Sequence, residues 1–352
     1  MQNRRRFDPK RLEEFSSKVL QKNAVPQKDA DITAKILINT DLRGVESHGV
    51  AHLNPFYVTW IKEGKVNPKP ELKWSSNSAT SAILDGDSGL GFVASYIAME
   101  EAIKRAKDVG AGFVSIKNST HYGAAAYYAM MALEHDMIGV SMTAGGRKMM
   151  APGSKRRAGG LNPISIAVPA EKKHPIVLDM STSVCAFGKI EIAKRQGKSI
   201  PEGWVVDENG KSITDTSKIN PSDSSFKGGI LPLGGLPVTG GFKGFGLSVF
   251  TDILCTLISG APINTTANHF LAVIDINGFR PVAKFKKQMD ELIDSIENLE
   301  PLPGYKKVYV AGGLEEEIEK ERTENGIPLD EAVIDSLEEL SKEFDLDFDA
   351  AL

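Results

Sequence analysis

The chain of 352 residues has the composition of an ordinary globular protein, with 41% hydrophobic and 25% charged residues. Its length predicts about two domains, and its formal net charge of −4 argues against a general nucleic-acid-binding protein. The two cysteines, Cys185 and Cys255, are too few for a disulfide scaffold and lack metal-ligand spacing, so we expect a reducing, cytoplasmic location.

Neither a membrane-spanning segment nor a secretory leader is expected. The longest apolar stretch, residues 247–263, is interrupted by Asp252, so it does not predict a transmembrane helix. Residues 1–8 are charged and contain no apolar segment of the kind that a signal peptide requires. We therefore expect neither a membrane nor a nucleic acid as a partner.

The hydrophobic pattern alternates between helical and strand periodicity along most of the chain. It predicts helices over residues 29–42, 47–62 with a break or kink at Pro55, 91–108, 123–134, from beyond 183 to about Lys194, 243–258 and 281–296. It predicts strands over residues 82–85, 112–116, 137–143, 164–168, 176–179, 270–276 and 307–310. Residues 197–236 are rich in Gly, Pro, Ser and Asp and are predicted to be loop. The mixture indicates an α/β or α+β fold.

The C-terminal segment is strongly acidic, with fifteen acidic and three basic residues from Ala311 to the end. Its apolar residues nevertheless keep helical spacing, which favours packed helices over disorder. These residues are Ile318, Val333, Leu337, Leu340 and Phe344. Because helices lie at both ends and strands in the middle, we predict a helical domain formed by residues 1–75 and 280–352 and a mixed-sheet domain formed by residues 76–279.

A glycine motif at residues 89–94, Gly-Leu-Gly-Phe-Val-Ala, lies between a predicted strand and a predicted helix, as a Rossmann phosphate loop does. Two features oppose that interpretation. Asp87 precedes the motif, close to where a pyrophosphate would lie, and the next strand ends at Lys117-Asn118 instead of at an acidic residue for the ribose hydroxyls. We therefore favour a helix entry that needs small residues for packing.

A second glycine cluster, residues 240–246, contains Lys243 and opens a predicted helix. Free N–H groups at a helix start, together with a lysine, suit a phosphate or a carboxylate. The spacing is not that of a Walker loop. The cluster is equally compatible with a tightly packed turn.

Two histidines, His48 and His52, are four residues apart and would share one face of a helix. The zinc-protease motif requires a glutamate directly after its first histidine, and this chain has Gly49 there. A general acid or a substrate ligand is therefore favoured over a metal site. The alternative is a pair of histidines with no chemical role.

Two further polar residues follow predicted strands, a common place for ligand-binding groups in α/β proteins. His121 lies in the segment Asn-Ser-Thr-His-Tyr-Gly at residues 118–123. Asp179 ends the apolar strand at residues 176–179. It would either orient a catalytic histidine and raise its pKa or cap the helix that follows.

Taken together, six segments resemble the malate/L-lactate dehydrogenase-like family, which lacks a Rossmann fold. Relatives in that family act on ureidoglycolate, diketogulonate, sulfolactate and cyclic imino acids. The six segments are residues 41–49 (Asp-Leu-Arg-Gly-Val-Glu-Ser-His-Gly), 118–123, 161–164 (Leu-Asn-Pro-Ile), 176–183 (Ile-Val-Leu-Asp-Met-Ser-Thr-Ser), 200–204 (Ile-Pro-Glu-Gly-Trp) and 241–247 (Gly-Phe-Lys-Gly-Phe-Gly-Leu). The resemblance extends over nearly the whole chain, and the six segments occur in the same order as in the family.

The resemblance implies an NAD(P)-dependent oxidoreductase of small 2-oxoacids and 2-hydroxyacids, usually a homodimer, on a non-Rossmann mixed-sheet cofactor-binding domain. It assigns the proton donor to His48, with His121 as the alternative, and adds Asp179 if it lies near His48. Substrate-binding positions are Ser47, His52 and Asn162. Cofactor-binding positions are Gly145, Met180, Ser181, Thr182, Ser183, Lys243, Gly244, Gly312, Gly313 and Leu314. No metal is implied, and the choice between NAD and NADP stays open.

Three departures from the family pattern concern the site. His52 stands where the family usually has an arginine that would clamp a substrate carboxylate with two parallel hydrogen bonds. Residues 311–313 read Ala-Gly-Gly instead of Pro-Gly-Glu, and residues 161–163 read Leu-Asn-Pro instead of Thr-Asn-Pro. We expect His52 to shift substrate choice away from ordinary malate.

Two other functions fit the same residues. A metal-dependent hydrolase would use His48, His52 and His121 as ligands. A catalytically degenerate relative would bind a nucleotide without turning over a substrate.

Overall fold

The computed structural model describes residues 4–75, 78–220, 225–263 and 267–348. Parts of some predicted features lie outside the described residues, namely the ends of the helical domain (1–3 and 349–352), its boundary with the sheet domain (76–77) and a piece of the loop (221–224).

Helices form the periphery of the molecule. The α-helices are α1 (Pro9–Lys22), α2 (Gln27–Leu42), α3 (Thr59–Lys62), α4 (Gly91–Val109), α5 (Ala125–Met131), α6 (Phe187–Arg195), α7 (Gly241–Asp252), α8 (Val282–Glu297), α9 (Gly313–Asn325) and α10 (Glu331–Phe344). Two π-helical segments, Leu53–Val58 and Ile253–Leu257, lead into α3 and follow α7. The helix predicted over 47–62 runs without interruption from Val50 to Lys62, and its distortion around Pro55 takes the form of the π-helical segment Leu53–Val58.

Strands form the centre. They are β1 (Arg6–Phe7), β2 (Lys73–Ser75), β3 (Ser81–Asp85), β4 (Ala111–Ser119), β5 (Met137–Ala144), β6 (Met149–Met150), β7 (Arg157–Gly159), β8 (Ile164–Val168), β9 (Ile176–Met180), β10 (Val205–Val206), β11 (Gly229–Ile230), β12 (Ala267–Asp275) and β13 (Ile327–Pro328). A seven-stranded sheet has the order β2-β3-β4-β12-β5-β8-β9, and a four-stranded sheet has the order β10-β11-β6-β7.

The seven-stranded sheet is mixed. Strand β3 runs parallel to β4, whereas β12 pairs antiparallel with both β4 and β5. Strand β12 is thus the centre of the sheet, although it comes late in the chain. A Rossmann domain requires a mostly parallel sheet, so the predicted non-Rossmann α/β fold is confirmed.

The glycine motif at residues 89–94 lets the start of α4 pack closely against the segment that follows β4. A Cβ on Gly91 would lie 2.2 Å from the carbonyl oxygen of Thr120. The Gly91 N–H donates to the Thr120 hydroxyl (3.2 Å). The segment after β4 therefore fills the space that a pyrophosphate would need, and the structural interpretation of this motif is the right one.

The two ends of the chain pack together. Strand β1 pairs antiparallel with β13, and α1 contacts both α2 and α10. Leu12 of α1 and Leu337 and Leu340 of α10 are buried in one hydrophobic cluster, which confirms the predicted packing of the acidic C-terminal helices. Leu84 of β3 and Phe92 of α4 belong to the same cluster. The division into two domains stays a prediction, since this core continues from the terminal helices to the sheet.

Two elements differ from the sequence-based expectation. The predicted strand over 307–310 is wrong: the segment has no strand partner, and Ala311 instead accepts a hydrogen bond from the Val177 N–H (2.9 Å). Helix α1 was not predicted, although Asp8 accepts a hydrogen bond from the Arg11 N–H and Pro9 occupies the first turn, which are ordinary helix-start signals.

Across the described ranges, no helix is both long enough and apolar enough to cross a membrane.

Candidate active site

Three predicted histidines lie together. The ring centroids of His48 and His121 are 5.6 Å apart, those of His48 and His52 are 5.9 Å apart, and those of His52 and His121 are 6.0 Å apart. His48 and His52 come from the turn before the first π-helical segment, and His121 follows strand β4. We call these three residues the histidine cluster.

The His48 turn depends on Gly49. A Cβ at Gly49 would lie 2.0 Å from a carboxylate oxygen of Asp41, which accepts a hydrogen bond from the Val50 N–H (2.7 Å). Any larger residue would expel Asp41, so the residue after His48 has a structural reason to be glycine. Glu46, in the same turn, pairs with Arg4 and with Arg322 of α9, which ties the turn to both chain ends.

His48 is held through one ring nitrogen. The Ser47 hydroxyl and Nδ1 of His48 lie 2.8 Å apart and share a hydrogen bond. Desolvation by the surrounding protein, followed by repulsion from His52, lowers the pKa of His48 to about 4, although the ring keeps some solvent exposure. His48 is therefore neutral near pH 7 and presents Nε2 for chemistry.

His121 is held in a defined tautomer. Its Nδ1 accepts a hydrogen bond from the Gly123 N–H (3.3 Å) and lies 2.8 Å from the Tyr57 hydroxyl. A ring nitrogen that accepts from a backbone N–H cannot carry a proton itself, so the neutral ring has its proton on Nε2. Burial, followed by repulsion from His48 and His52, lowers the pKa of His121 well below its ordinary value.

His269 supports the loop that carries His121. It lies fully buried on central strand β12, stacked on the Tyr122 ring at 4.3 Å. Its Nδ1 lies 2.8 Å from the Thr143 hydroxyl and its Nε2 lies 3.1 Å from the Thr120 carbonyl oxygen. Burial lowers the pKa of His269 to about 3, so it is a neutral structural residue.

His52 is enclosed on two sides. Its ring packs on Phe56 with a centroid separation of 4.2 Å, and its Nε2 lies 3.8 Å from a carboxylate oxygen of Glu191 on α6. Its Nδ1 is buried and has no hydrogen-bond partner in the described part of the chain. This geometry does not reproduce the two parallel donors of an arginine.

Asp179 caps a helix instead of contacting a histidine. Its carboxylate accepts a hydrogen bond from the Ala126 N–H (2.7 Å) in the first turn of α5, the helix that precedes it in the chain. The predicted cap of the following helix, α6, is wrong, because α6 starts after Ala186 without a side-chain cap. Among the described residues, Asp179 forms no hydrogen bond or ion pair with His48. The catalytic role assigned to it stays a prediction.

The predicted cofactor segments converge on one another through backbone hydrogen bonds. Leu233 donates to the Thr182 carbonyl oxygen (2.9 Å) and accepts from the Gly244 N–H (3.2 Å). A Cβ on Gly244 would lie 2.4 Å from the Leu233 nitrogen, so glycine is required for this approach. The segment 180–183 and the start of α7 therefore form one surface, with the side chain of Lys243 exposed on it.

The start of α7 is less open to a ligand than the glycine cluster indicated. The N–H groups of Gly241, Lys243 and Gly244 already donate to carbonyl oxygens of the preceding loop. The ammonium of Lys243 is consequently the group that can meet a cofactor phosphate there, more than the helix start itself.

The other predicted cofactor positions adjoin this surface. Gly312 has a positive φ of 94°, and a Cβ on it would lie 2.9 Å from the Val177 nitrogen, so residues 312–314 pack against β9, which runs into residues 180–183. The exposed Gly145 donates its N–H to the Asn162 side-chain oxygen (3.3 Å). The exposed Lys243 ammonium and the partly exposed Ser181 hydroxyl suit a dinucleotide's phosphates and hydroxyls, whereas Thr182 and Ser183 are buried and donate their hydroxyls to the carbonyl oxygens of Leu161 and Cys185.

Asn162 is a bracing residue in this structure. Its side-chain nitrogen donates to the carbonyl oxygen and hydroxyl of Ser248 on α7 (2.9 and 3.0 Å), while its oxygen accepts from Gly145. Its amide thus joins the loop after β5 to α7. The substrate-binding role predicted for Asn162 stays a prediction.

Comparisons with known proteins identify the family. A sequence model described as malate/L-lactate dehydrogenase matches residues 7–338. The malate dehydrogenase of Pyrococcus horikoshii is 41% identical over 345 residues, covering 94% of this chain and 93% of that protein. The L-sulfolactate dehydrogenase of Methanocaldococcus jannaschii is 38% identical, covering 94% of this chain and 95% of that protein. The crystal structure of malate dehydrogenase from Entamoeba histolytica superposes with a TM-score of 0.94 at 30% identity, covering 98% and 99% of the two chains.

The chain belongs to the malate/L-lactate dehydrogenase family.

Membership in the malate/L-lactate dehydrogenase family confirms the resemblance carried by the six sequence segments. It also confirms the predicted enzyme class, an NAD(P)-dependent oxidoreductase that acts on the CH–OH group of a small hydroxyacid. Relatives that are each 30% identical are named for either cofactor: the ureidoglycolate dehydrogenase (NAD(+)) of Escherichia coli covers 80% of this chain, and the (2R)-3-sulfolactate dehydrogenase (NADP(+)) of Chromohalobacter salexigens covers 70%.

The hydrolase alternative lacks a ligand set. In the described parts of the chain, no three His, Cys, Asp or Glu side chains are grouped so that they could hold a metal ion. In the histidine cluster, Nδ1 of His48 and Nδ1 of His121 are already bonded to Ser47 and Tyr57.

Two charged residues beside the histidine cluster escaped the sequence analysis. Glu191 faces His52, and the charge of Lys148 lowers the pKa of both His48 and His121. Glu191 follows Phe187 by four residues on α6, a spacing visible in the sequence. Lys148 belongs to the run Gly-Gly-Arg-Lys after a buried strand, and its basic pair was the available signal.

Proposed function

We propose that this dehydrogenase interconverts a small 2-oxoacid and its 2-hydroxyacid, with His48 and His121 as the proton-transferring pair. The observation that carries the proposal is the fixed tautomer of His121. Its Nδ1 accepts from the Gly123 N–H, so Nε2 presents a proton. His48 lies beside it with its own Nε2 free, and the two rings stack at 5.6 Å.

The nicotinamide cofactor supplies or accepts the hydride when bound. Lys243 would meet a cofactor phosphate, the Ser181 hydroxyl would bind a cofactor hydroxyl or phosphate with Ser183 holding it from behind, and residues 312–314 would border the same surface. The histidine pair would hold the carbonyl oxygen and move its proton. Because both rings have lowered pKa values, the donor is a neutral imidazole whose proton is replaced from solvent after each turnover.

The substrate belongs to the class that includes oxaloacetate and sulfopyruvate, the 2-oxoacids that correspond to the malate and sulfolactate of the relatives' names. The position of His52 argues against ordinary malate as the preferred substrate. Its Nε2 faces Glu191 at 3.8 Å, and its other nitrogen is buried, so it cannot clamp a carboxylate as an arginine does. Brisk reduction of oxaloacetate with a flat pH profile through neutrality would contradict this preference.

We further propose a homodimer in the cytoplasm. Helix α7 and the π-helical segment after it expose a row of large apolar side chains, which a globular protein normally covers. They are Phe242, Leu247, Val249, Phe250, Ile253, Leu257 and Ile258. A second copy of the chain would bury this row, which we call the α7 face. Lys243, on the same helix, would then lie beside the subunit interface.

Single replacements of the two histidines test the proton-transfer role. We expect His121→Ala and His48→Ala each to lower kcat for 2-oxoacid reduction at least about 100-fold, as for the loss of a positioned proton donor. NADH or NADPH binding, followed by nicotinamide fluorescence, should be unchanged. His135→Ala is the matched control, because His135 ends a surface turn away from the cluster. Near-normal turnover in either cluster variant would remove that residue from the pair.

A further inference from the structure

Lys148 is a half-buried cation beside the histidine cluster. Its backbone is held on both sides: its N–H donates to Gly159 (3.0 Å) and its carbonyl oxygen accepts from Ile230 (3.0 Å). Within the described residues its side chain forms no ion pair; the ammonium lies 4.2 Å from the centroid of the Phe187 ring. An ammonium removed from water without an anionic partner is costly, so the site is short of one negative charge.

The charge of Lys148 reaches the reacting groups. Its ammonium lies over Phe187, and the next residue of α6, Gly188, packs on Ser47 beside His48. In keeping with this position, its charge lowers the pKa of both His48 and His121. Glu191 is the acidic group that acts on Lys148, yet no Glu191 oxygen lies within ion-pair distance of the ammonium. The nearest basic partner of Glu191 is His52, at 3.8 Å. Among Glu191, His52 and Lys148, it is Lys148 that forms no ion pair within the described residues.

Helix α6 brings the surrounding groups together. Phe187 and Glu191 are four residues apart and lie on one face of the helix. Gly188 packs directly on the histidine turn, because a Cβ there would lie 2.4 Å from the Ser47 Cβ. The face of α6 that carries Phe187 and Glu191 therefore borders the histidine cluster, with Lys148 over its first turn.

We propose that Lys148 binds the carboxylate next to the reacting carbonyl of the substrate, the position of negative charge that every 2-oxoacid shares. This inference rests on the proposed 2-oxoacid function and adds a specificity-determining residue to it. A carboxylate bonded to the carbonyl carbon must lie within a few ångströms of the group that protonates the oxygen. Lys148 forms no ion pair with any described residue, and its ammonium lies over the helix that packs on the histidine turn. Glu191 faces His52, so His52 is not available to the substrate carboxylate. The Lys148 ammonium binds that carboxylate instead.

The test compares Lys148→Met, which keeps the length of the side chain and removes the charge, with Lys148→Arg, which keeps a cation. Lys189→Met is the matched control, since Lys189 is exposed on α6, the helix beneath the Lys148 ammonium, and its loss also removes one positive charge. Steady-state kinetics with pyruvate and with oxaloacetate are measured for each variant. Binding of NADH and of oxamate, a pyruvate isostere that is not reduced, is measured by calorimetry.

For Lys148→Met we expect kcat/KM to fall about 10- to 100-fold for both pyruvate and oxaloacetate, the range for losing a hydrogen bond to a charged group. The fall should come mainly from a higher KM. Oxamate binding to the NADH complex should weaken by a similar factor. Lys148→Arg should recover part of the loss, and Lys189→Met should behave as wild type. NADH affinity should not change in any variant.

Three results would overturn the assignment. Unchanged oxamate affinity in Lys148→Met would show that the ammonium does not bind this carboxylate. A loss confined to oxaloacetate would place Lys148 at the far carboxylate, and a loss of NADH affinity would place it in the cofactor site. A wild-type enzyme that reduces neither acid but binds oxamate through Lys148 would contradict turnover of these two acids and leave this inference standing.

Discussion

The hydroxyl of Tyr57 lies 2.8 Å from Nδ1 of His121, and this contact couples the first π-helical segment to the loop after β4. Tyr57 is fully buried, and burial raises its pKa well above the ordinary value, so it stays protonated and can donate to the imidazole. Together with the Gly123 N–H it keeps Nδ1 as an acceptor and Nε2 as the proton-bearing nitrogen. Tyr57 and the Gly123 N–H thus determine which nitrogen of His121 bears the proton.

Replacing Tyr57 with Phe should lower kcat without changing cofactor affinity. A neutral hydrogen bond contributes about 1 kcal/mol, which corresponds to about a 5-fold effect if it is needed to orient His121. The pH profile of kcat should shift as well, because Tyr57 bonds to the ring that titrates. A loss of stability alone would leave that profile unchanged. Tyr305→Phe, at an exposed position, is the control. An unchanged kcat and pH profile in Tyr57→Phe would show that Gly123 alone fixes the tautomer.

Replacing Gly188 with Ala should damage activity more than stability. The new Cβ would lie 2.4 Å from the Ser47 Cβ, so α6 or the histidine turn must move. We expect kcat/KM to fall at least about 10-fold, since a displacement of about 1 Å near reacting groups is costly. Gly278→Ala is the matched control, because a Cβ there meets no atom within 4 Å. Wild-type kinetics in Gly188→Ala would show that the contact with α6 does not matter for catalysis.

The buried carboxyl of Asp41 should make stability fall with rising pH. Burial raises its pKa to about 7 in the folded chain, against about 3.9 in the unfolded chain. A group whose folded pKa is raised contributes stability that is complete below the unfolded pKa and is lost as pH rises through the folded pKa. The contribution of Asp41 to the unfolding free energy should therefore decline between about pH 4 and pH 7.

Asp41→Asn isolates that contribution. Its side-chain oxygen can still accept the Val50 N–H, but the group no longer titrates. Urea unfolding at several pH values should give a difference between wild type and variant that moves in favour of Asn as pH rises. A difference that is constant from pH 4 to pH 8 would mean that the Asp41 pKa is not raised in the folded chain.

A charge on the α7 face should prevent the proposed dimer. Phe250, which is 55% exposed in the single chain, becomes largely covered if a second copy packs on this face. Phe250→Glu should convert the species seen by light scattering from a dimer to a monomer, because an unpaired carboxylate at an apolar interface is unfavourable. Phe279→Glu, an exposed aromatic outside this face, is the control. A dimer that persists in Phe250→Glu would place the interface elsewhere.

We expect the main role of Asp179 to be the capping of helix α5. Asp179→Ala removes the acceptor for the Ala126 N–H and should lower the unfolding free energy by about 1 kcal/mol. Asp179→Asn, which keeps an acceptor oxygen, should retain most of that stability. Thermal unfolding of both variants checks this, with kcat measured alongside. A large loss of kcat in Asp179→Asn at unchanged stability would restore the catalytic role that the family resemblance implies.

The sequence predicted the elements that depend on local pattern. Strands β3, β5, β8 and β9 and helix α4 were predicted within a few residues, since each has a regular apolar period. The segment 307–310 has an apolar, strand-like composition but forms no strand; the residue after it, Ala311, accepts a hydrogen bond from the Val177 N–H. No local pattern distinguishes such a segment from a strand.

The site was predictable where it depends on residue type and order, and not where it depends on long-range packing. His48 and His121 are separated by about seventy residues, and the family resemblance, not their spacing, joined them. Lys148 and Glu191 carry no motif; they belong to the site because strand β6 and helix α6 fold against the histidine turn. Asp179 was placed on the wrong helix because its partner, Ala126, lies 53 residues earlier.

The most direct test is oxidation of NADH and of NADPH by the purified protein against a panel of 2-oxoacids. The panel comprises pyruvate, oxaloacetate, sulfopyruvate, 2-oxoglutarate, diketogulonate and a cyclic imine. We predict turnover with at least one 2-oxoacid, which identifies the preferred cofactor in the same experiment. Cofactor binding without turnover of any panel member would contradict the account and favour a degenerate nucleotide-binding descendant of the family.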